Sequence, residues 1–196
     1  MSTLLSEAGE LRDQYDEEPS HSDHVTALAL QLFDGWSAWH GLAARPRELL
    51  GAAALLHDIG WSQTPDGRGH HKESARLIRK HDWKTLTPEE VALVAQVARY
   101  HRKAVPRPEH EGFQALPSPA RRQVMILGGI LRVADALDRT HTERIRKLSA
   151  SVTDTALWIR VCSAGPWEAE LTMFEAKRDM LETASGKSVR CEAAEQ

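Results

Sequence analysis

The sequence lacks the features that define several broad classes of protein. Only Cys162 and Cys191 are present, too few for a disulfide scaffold and without the spacing of a zinc motif. No uninterrupted apolar run approaches the ~20 residues of a membrane span. The acidic start, MSTLLSEAGELRDQYDEE, has no apolar core like that of a signal peptide. We therefore expect a soluble, cytoplasmic protein with reduced thiols and no membrane partner.

A general excess of positive charge is also missing. The formal net charge is −3, whereas proteins that bind nucleic acid by displacing counterions carry a basic field. Nucleic acid is therefore not an expected partner. With 196 residues, of which 41% are hydrophobic, the chain can bury one substantial core and carry a small additional unit.

Apolar residues recur at intervals of three and four along most of the chain, which predicts amphipathic helices. The predicted helices begin at Ser20, span about Pro46–Asp58 and about His71–His81, and begin again at Thr87 and at Ser118. Ser20 with Asp23, and Thr87 with Glu90, resemble capping boxes. Gly128 and Gly129 inside the last of these helices each cost about 1 kcal/mol relative to alanine, which predicts a close packing contact there.

The pattern changes near residue 149. Val152–Cys162 contains an apolar alternation that predicts a strand, Pro166–Ser185 predicts a helix, and KSVRC after Gly186 predicts a returning strand. The expected organisation is a helical unit, residues 1–148, followed by a small strand-helix-strand appendage, residues 149–196. Two strands are marginally stable alone. We therefore expect the appendage to dock on the helical unit or to gain strands from a second copy in a homodimer.

Several ionisable side chains fall on the apolar faces or at the ends of these helices. They are His24, His57, Asp58, His101 and Asp135. Any one of them alone is readily explained as a hydrogen-bonded core residue. Together, three imidazoles and two carboxylates form a mixed nitrogen and oxygen ligand set, which suits a divalent first-row transition metal better than calcium. Such a cation would also neutralise the buried carboxylates.

These residues resemble a known ligand set. His24, the pair His57 and Asp58, and Asp135 in LRVADALDRTH are similar to the four ligands of the HD-domain metal-dependent phosphohydrolases. GHHKESARLI, ARYHRKAVP and ILRVADALDRTH resemble most closely the HD domain at the C-terminal end of exopolyphosphatases and guanosine pentaphosphate phosphatases, over about residues 20–190. The resemblance implies a mostly α HD-domain helical bundle. The actin-like domains that carry catalysis in those two-part enzymes are not in this sequence, so the resemblance does not transfer their activity to it.

The resemblance also implies a metal centre of one or two divalent ions, Mn²⁺, Mg²⁺ or another first-row metal. The implied ligands of the first ion are His24, His57, Asp58 and Asp135. A second ion would be bridged to the first by Asp58. Its further ligands would be the histidines that follow, His70, His71 and His101. Water bound to such an ion becomes a nucleophile near neutral pH.

Cationic side chains follow the candidate ligands closely. Arg102 and Lys103 come directly after His101, and Arg139 lies one helical turn after Asp135. Each could be a solvated surface charge or a phosphate contact. Their placement favours phosphate contact for Lys103 and Arg139, since guanidinium can bind two phosphate oxygens and ammonium acts as a point charge. The residues expected to act in catalysis are therefore Asp58, Lys103 and Arg139.

The sequence favours one function over an alternative. We expect a metal-dependent phosphohydrolase that cleaves a phosphate ester or phosphoanhydride of a nucleotide or polyphosphate by metal-activated water. The alternative is a non-catalytic regulatory module that binds a nucleotide or polyphosphate. The ligand set favours the enzyme, because a binding module has no need of a water-activating metal. The expected partner is a phosphorylated small-molecule substrate.

Overall fold

The chain is helical as far as Ala136 and forms a unit of strands and helices after it. The computed structural model describes residues 3–194. The helices of the first part are α1 (Thr3–Arg12), α2 (Pro19–Gly35), α3 (Ser37–His40), α4 (Ala44–Leu55), α5 (His70–Lys80), α6 (Pro88–Arg99), α7 (Glu111–Gln114) and α8 (Ser118–Ala136). The second part contains β1 (Ile145–Val152), β2 (Ala156–Ser163), α9 (Glu168–Lys177), α10 (Asp179–Ser185) and β3 (Ser188–Ala193). The prediction of a mostly α fold with a small C-terminal strand appendage is confirmed.

Two of the predicted helix starts have different outcomes. The capping box of α6 is confirmed, because Glu90 N donates to Thr87 Oγ1 (3.3 Å) and Thr87 N donates to Glu90 Oε2 (3.0 Å). The start at Ser20 is wrong: α2 begins at Pro19 with Glu18 as the preceding residue, and no side chain of the described region caps it. Proline is well tolerated at the first helical position, since its missing N–H has no partner there anyway.

The long helices surround one hydrophobic core. α2 packs on α4 and α8, α6 packs on α4 and α8, and α5 packs on α6. α4 ends at Leu55 instead of the predicted Asp58, so His57 and Asp58 lie in the turn that follows the helix. None of the helices in residues 3–194 is long and apolar enough to cross a membrane.

The second part departs from the predicted strand-helix-strand pattern. Within the described residues its strands form one three-stranded sheet in the order β1-β2-β3, with β1 antiparallel and β3 parallel to β2. The predicted strand within Val152–Cys162 is confirmed as β2, but β1, which a turn separates from β2, was not predicted. The predicted helix Pro166–Ser185 is divided at Arg178 into α9 and α10. The returning strand after Gly186 is confirmed as β3, and the expected boundary between residues 148 and 149 falls inside β1.

The appendage docks on the helical unit through residues of α8 and α10. A Cβ atom built on Gly128 would lie 2.7 Å from Met180 Cε, and one built on Gly129 would lie 2.9 Å from Leu181 Cγ. The predicted close contact at these glycines is therefore confirmed. Met180 and Leu181 belong to the same core as the long helices. Cys162 and Cys191 are free thiols on β2 and β3.

Candidate metal centre and cationic cleft

Ligand-type side chains gather where the ends of several helices meet. Within residues 3–194, two groups each bring three candidate ligand atoms within 4.8 Å of one another. The first group is His21, His57 and Asp135, and the second is Asp58, His70 and His101. These residues come from the first turn of α2, the turn after α4, the start of α5, the turn after α6 and the last turns of α8. The packing of those helices therefore places both groups at one end of the bundle.

The two groups are joined by the carboxylate of Asp58. In the second group, Asp58 Oδ1 lies 3.1 Å from His70 Nε2 and 3.3 Å from His101 Nε2. Its other oxygen, Oδ2, lies 3.6 Å from His57 Nε2 in the first group. Asp135 Oδ1 in turn lies 3.7 Å from His21 Nε2 and 3.9 Å from His57 Nε2. Asp58 thus has the position of a carboxylate that could bridge two ions.

Hydrogen bonds fix the orientation of every imidazole in the two groups. Three of the rings donate from Nδ1 to the backbone carbonyl three residues earlier: His57 to Ala54 (2.7 Å), His70 to Gly67 (2.8 Å) and His101 to Ala98 (2.7 Å). His21 Nδ1 instead donates to Asp138 Oδ2 (2.7 Å). Carbonyl oxygens only accept, so Nδ1 of His57, His70 and His101 carries the proton, and Nε2 of each neutral ring presents its lone pair to the site.

This anchoring is what metal-binding histidines normally have, with one ring nitrogen donating to a carbonyl or carboxylate and the other facing the ion. Nε2 of His21 and Nε2 of His57 are buried, and neither has a hydrogen-bond partner in the described part of the chain. Buried polar atoms without partners are rare and costly. A cation between these nitrogens and the carboxylates would satisfy them, so the residues present fit a divalent metal.

Opposing charges decide the ionisation of this buried site. Burial raises the pKa of Asp135, but Lys177 and His21 outweigh burial and hold that pKa well below its usual range. The pKa of Asp58 is also held low against burial, chiefly by His57 and His70. Burial lowers the pKa of His21, yet the nearby carboxylates of Asp135 and Asp138 outweigh burial and raise it to about 10, so a cation bound at Nε2 would have to displace a proton. The carboxylates therefore stay ionised and attract cations.

Two of the sequence-predicted ligands lie outside both groups. His24 is half-buried on α2, and its Nε2 has no hydrogen-bond partner among the described residues. His21, three residues earlier on the same helix, provides the α2 atom of the first group. His71 lies beside the second group, with its ring centroid 5.9 Å from that of His70. Burial, together with the neighbouring His70, Arg102 and Lys72, lowers the pKa of His71 to about 4.

The predicted cations lie next to the candidate ligands. A cavity of about 490 Å³ is lined by Asp58, His70, His101 and Asp135 together with Arg102, Lys103, Arg139 and Lys177. We call this cavity the cationic cleft. Arg102 Nη1 lies 3.2 Å from both ring nitrogens of His70. The opening is flanked by Trp61, which is 48% exposed and stacks on His70 with ring centroids 4.5 Å apart.

Other residues of the site could not all be predicted from the sequence. Lys177, in the last turn of α9, forms an ion pair with Asp135. Lys177 lies far from Asp135 along the chain, so no local sequence pattern links the two residues. Asp138, which holds His21, could have been found, because it lies three residues after Asp135 in the same LRVADALDRTH segment. His141 stacks on His21 with ring centroids 3.8 Å apart, and its Nδ1 donates to Glu18 Oε2 (2.6 Å).

Helical domains that gather imidazoles and carboxylates beside a cationic cleft have the chemistry that phosphatases use on phosphate groups. Comparison with protein families agrees with this class. Residues 6–180 match the family model described as Ppx/GppA phosphatase, domain III. The match covers most of the chain and every candidate ligand, so the chain belongs to this family. The resemblance to the exopolyphosphatase and guanosine pentaphosphate phosphatase domain is thereby confirmed.

Proposed function

We propose that this domain is a metal-dependent phosphohydrolase that cleaves a phosphate ester or phosphoanhydride of a nucleotide or polyphosphate. The observation that carries the proposal is the double group of Nε2 and carboxylate atoms, of which Asp58, His70, His101 and Asp135 line the cationic cleft. Membership of a phosphatase family supports the same reaction class. The HD-type ligand pattern of His57, Asp58 and Asp135 supports hydrolysis with water as the nucleophile.

The residues that would hold the metal follow from the two groups. One ion would be held by His21, His57, Asp135 and Asp58, and a second by Asp58, His70 and His101. Imidazole with carboxylate suits Mn²⁺ and other first-row ions, and carboxylate-rich sites also accept Mg²⁺. When bound, such an ion supplies a Lewis acid for a phosphoryl oxygen and lowers the pKa of water.

The cations of the cleft would bind and orient the phosphate group. Arg139 and Lys103 are exposed on the cleft wall, so both can reach a ligand without first breaking an ion pair within the described residues. A guanidinium group can bind two phosphate oxygens at once, which fixes the orientation of the phosphate. Arg102 is half-buried against His70, which places its charge close to the second group. Charge that develops on the phosphoryl oxygens is stabilised by donors already in position.

One observation favours the alternative of a non-catalytic module that binds a nucleotide or polyphosphate. Lys177 forms an ion pair with Asp135, and both side chains are only 14% exposed. The fold therefore has a cation of its own that balances this carboxylate. A regulatory module could keep the buried carboxylates for ligand binding without using them in a reaction.

A phosphate-release assay separates the two functions. We expect the full chain to release phosphate from at least one of a panel of nucleotides, guanosine tetraphosphate and polyphosphate, with Mn²⁺ or Mg²⁺ present. Arg139→Ala should lower kcat about a hundredfold, equivalent to roughly 3 kcal/mol, because it removes a cation that stabilises the transition state. Its metal content should not change, since Arg139 belongs to neither ligand group.

Arg146→Ala is a matched control, because Arg146 is exposed on β1 and does not line the cleft. This variant should retain the wild-type rate. A wild-type protein without turnover under any metal, in which Arg139→Ala only weakens the binding of a phosphate ligand in calorimetry, would be the regulatory module instead.

A further inference from the structure

A separate cavity adjoins the cationic cleft and is not used by the proposed reaction. It has a volume of about 400 Å³ and shares Arg102 and Lys103 with the cleft. Its remaining wall includes His71, Lys72, Arg99, Tyr100 and His110. We call it the basic pocket. The two cavities differ in charge, because Asp58 and Asp135 carry negative charge beside the cations of the cleft.

The basic pocket concentrates positive charge that has no negative partner. Lys72, Arg99, Arg102 and Lys103 line it, and none of the residues that line it in the described part of the chain is acidic. None of these four cations forms an ion pair with a carboxylate of the described residues, whereas Arg12, Arg45, Arg47 and Arg76 all do. Four unpaired cations around one cavity repel each other, and an anion bound between them would relieve that repulsion.

Two further groups in the basic pocket are suited to an anion. His71 is 8% exposed, and its Nδ1 is buried without a hydrogen-bond partner among the described residues. α5 starts at this point: Gly69, which precedes the helix, lines the pocket, and no described side chain caps the helix. The N-terminus of a helix carries a partial positive charge and free N–H groups, both of which favour an anion.

The wall that the two cavities share is held rigidly. Lys103 has a φ of 62°, a left-handed conformation that costs energy in a residue with a side chain. Arg132, which is 3% exposed, donates from Nη1 to the carbonyls of Tyr100 and Lys103, both at 3.1 Å. Its buried guanidinium therefore fixes the backbone that presents Arg102 and Lys103. Rigid presentation of this kind lowers the entropic cost of binding a ligand.

We propose that the basic pocket is a second anion-binding site, which takes a phosphoryl group of the substrate other than the group that reacts in the cleft. The ring of His71 lies 5.9 Å from that of His70 and 6.4 Å from that of His101, so one row of side chains separates the two sites. Arg102 and Lys103 would contact both groups. The ligand chemistry is a run of linked phosphoryl groups, free or attached to a nucleoside. The role of the basic pocket in selecting a substrate rests on the proposed function, whereas the binding of an anion to this pocket does not.

Calorimetry on the full chain tests the second site without turnover. Tripolyphosphate and ATP are the probes, titrated into wild type and into the double variant Lys72→Ala/Arg99→Ala at one ionic strength. The double variant should raise the Kd for tripolyphosphate about tenfold or more, because it removes two cations from the pocket and leaves every candidate metal ligand in place. If only the affinity for tripolyphosphate falls, the ligand of the pocket is a free phosphate chain. If the affinity for both probes falls, the pocket binds linked phosphates with or without a nucleoside.

Two further variants make the outcome decisive. Lys72 is exposed, so we expect Lys72→Glu to fold. This variant should weaken the binding of tripolyphosphate at least as much as the double variant. Lys80→Ala, an exposed lysine at the other end of α5, is the control and should change the Kd by no more than about twofold. Unchanged binding in Lys72→Glu and in the double variant, or an equal loss in Lys80→Ala, overturns the proposal. An inactive wild type that still shows the predicted losses overturns the proposed function alone.

Discussion

Asp58→Ala should remove both the bound metal and the turnover of the protein. The carboxylate of Asp58 faces His57 with one oxygen and His70 and His101 with the other. Its removal therefore takes a ligand from both groups at once. We expect metal affinity to fall by a factor of at least about a hundred, since even the outer partners of metal ligands are worth ten- to a hundredfold. Metal analysis after gel filtration measures the occupancy, and circular dichroism checks the helical content.

Asp66→Ala is the matched control for this change. Asp66 lies in the same segment between α4 and α5, and it is exposed and paired with Arg68. The control should keep the metal content of the wild type. Equal metal occupancy in folded Asp58→Ala and in wild type would contradict the bridging position of Asp58.

The second large effect separates two histidines on one helix. His21→Ala should weaken metal binding about a hundredfold, because His21 Nε2 is within the first group and its Nδ1 is held by Asp138. His24→Ala should leave the affinity nearly unchanged, because no atom of His24 belongs to either group. Calorimetric titration of Mn²⁺ into each variant measures the two affinities. A larger loss in His24→Ala than in His21→Ala would show that α2 presents a different face to the site.

The sequence pattern of α2 fits either histidine, so it does not distinguish His21, which lies in the first group, from His24. His21 lies four residues before Val25, and His24 lies four residues before Leu28, so each continues the apolar stripe by one helical turn. A helix start at Ser20 put His21 at the frayed end of the helix. The true start at Pro19 gives His21 a helical backbone and a fixed direction. Helix ends are the least certain feature of any sequence pattern, and here the start of the helix differs by one residue.

Residues at helix ends and on long helices were easier to identify than those on the appendage. His57, Asp58, His101 and Asp135 were found because an ionisable side chain interrupts an apolar stripe, which is a local signal. Lys177 has no such signal, because only the docking of α9 on α8 brings it to Asp135. β1 was missed for a related reason. Its sequence, IRKLSASV, has only one fully buried residue, so it lacks the strong apolar alternation of a core strand.

The expectations about assembly and location stay predictions. A homodimer built through the sheet would use β1 or β3, which are the outer strands of the described sheet. Light scattering at micromolar concentration measures the mass in solution, and a strictly monomeric mass would count against the dimer.

The central claim is that two adjoining groups of imidazole and carboxylate atoms hold a divalent metal. A crystal structure of the protein with Mn²⁺, with anomalous scattering data, tests it most directly. We predict an anomalous peak at bonding distance from His57 Nε2 and Asp135 Oδ1, close to the roughly 2.0 to 2.2 Å that zinc has with these ligands. We also predict that Lys177 leaves Asp135 in that structure. No peak at these atoms, with Lys177 still paired to Asp135 in crystals that bind Mn²⁺ elsewhere, would contradict the claim.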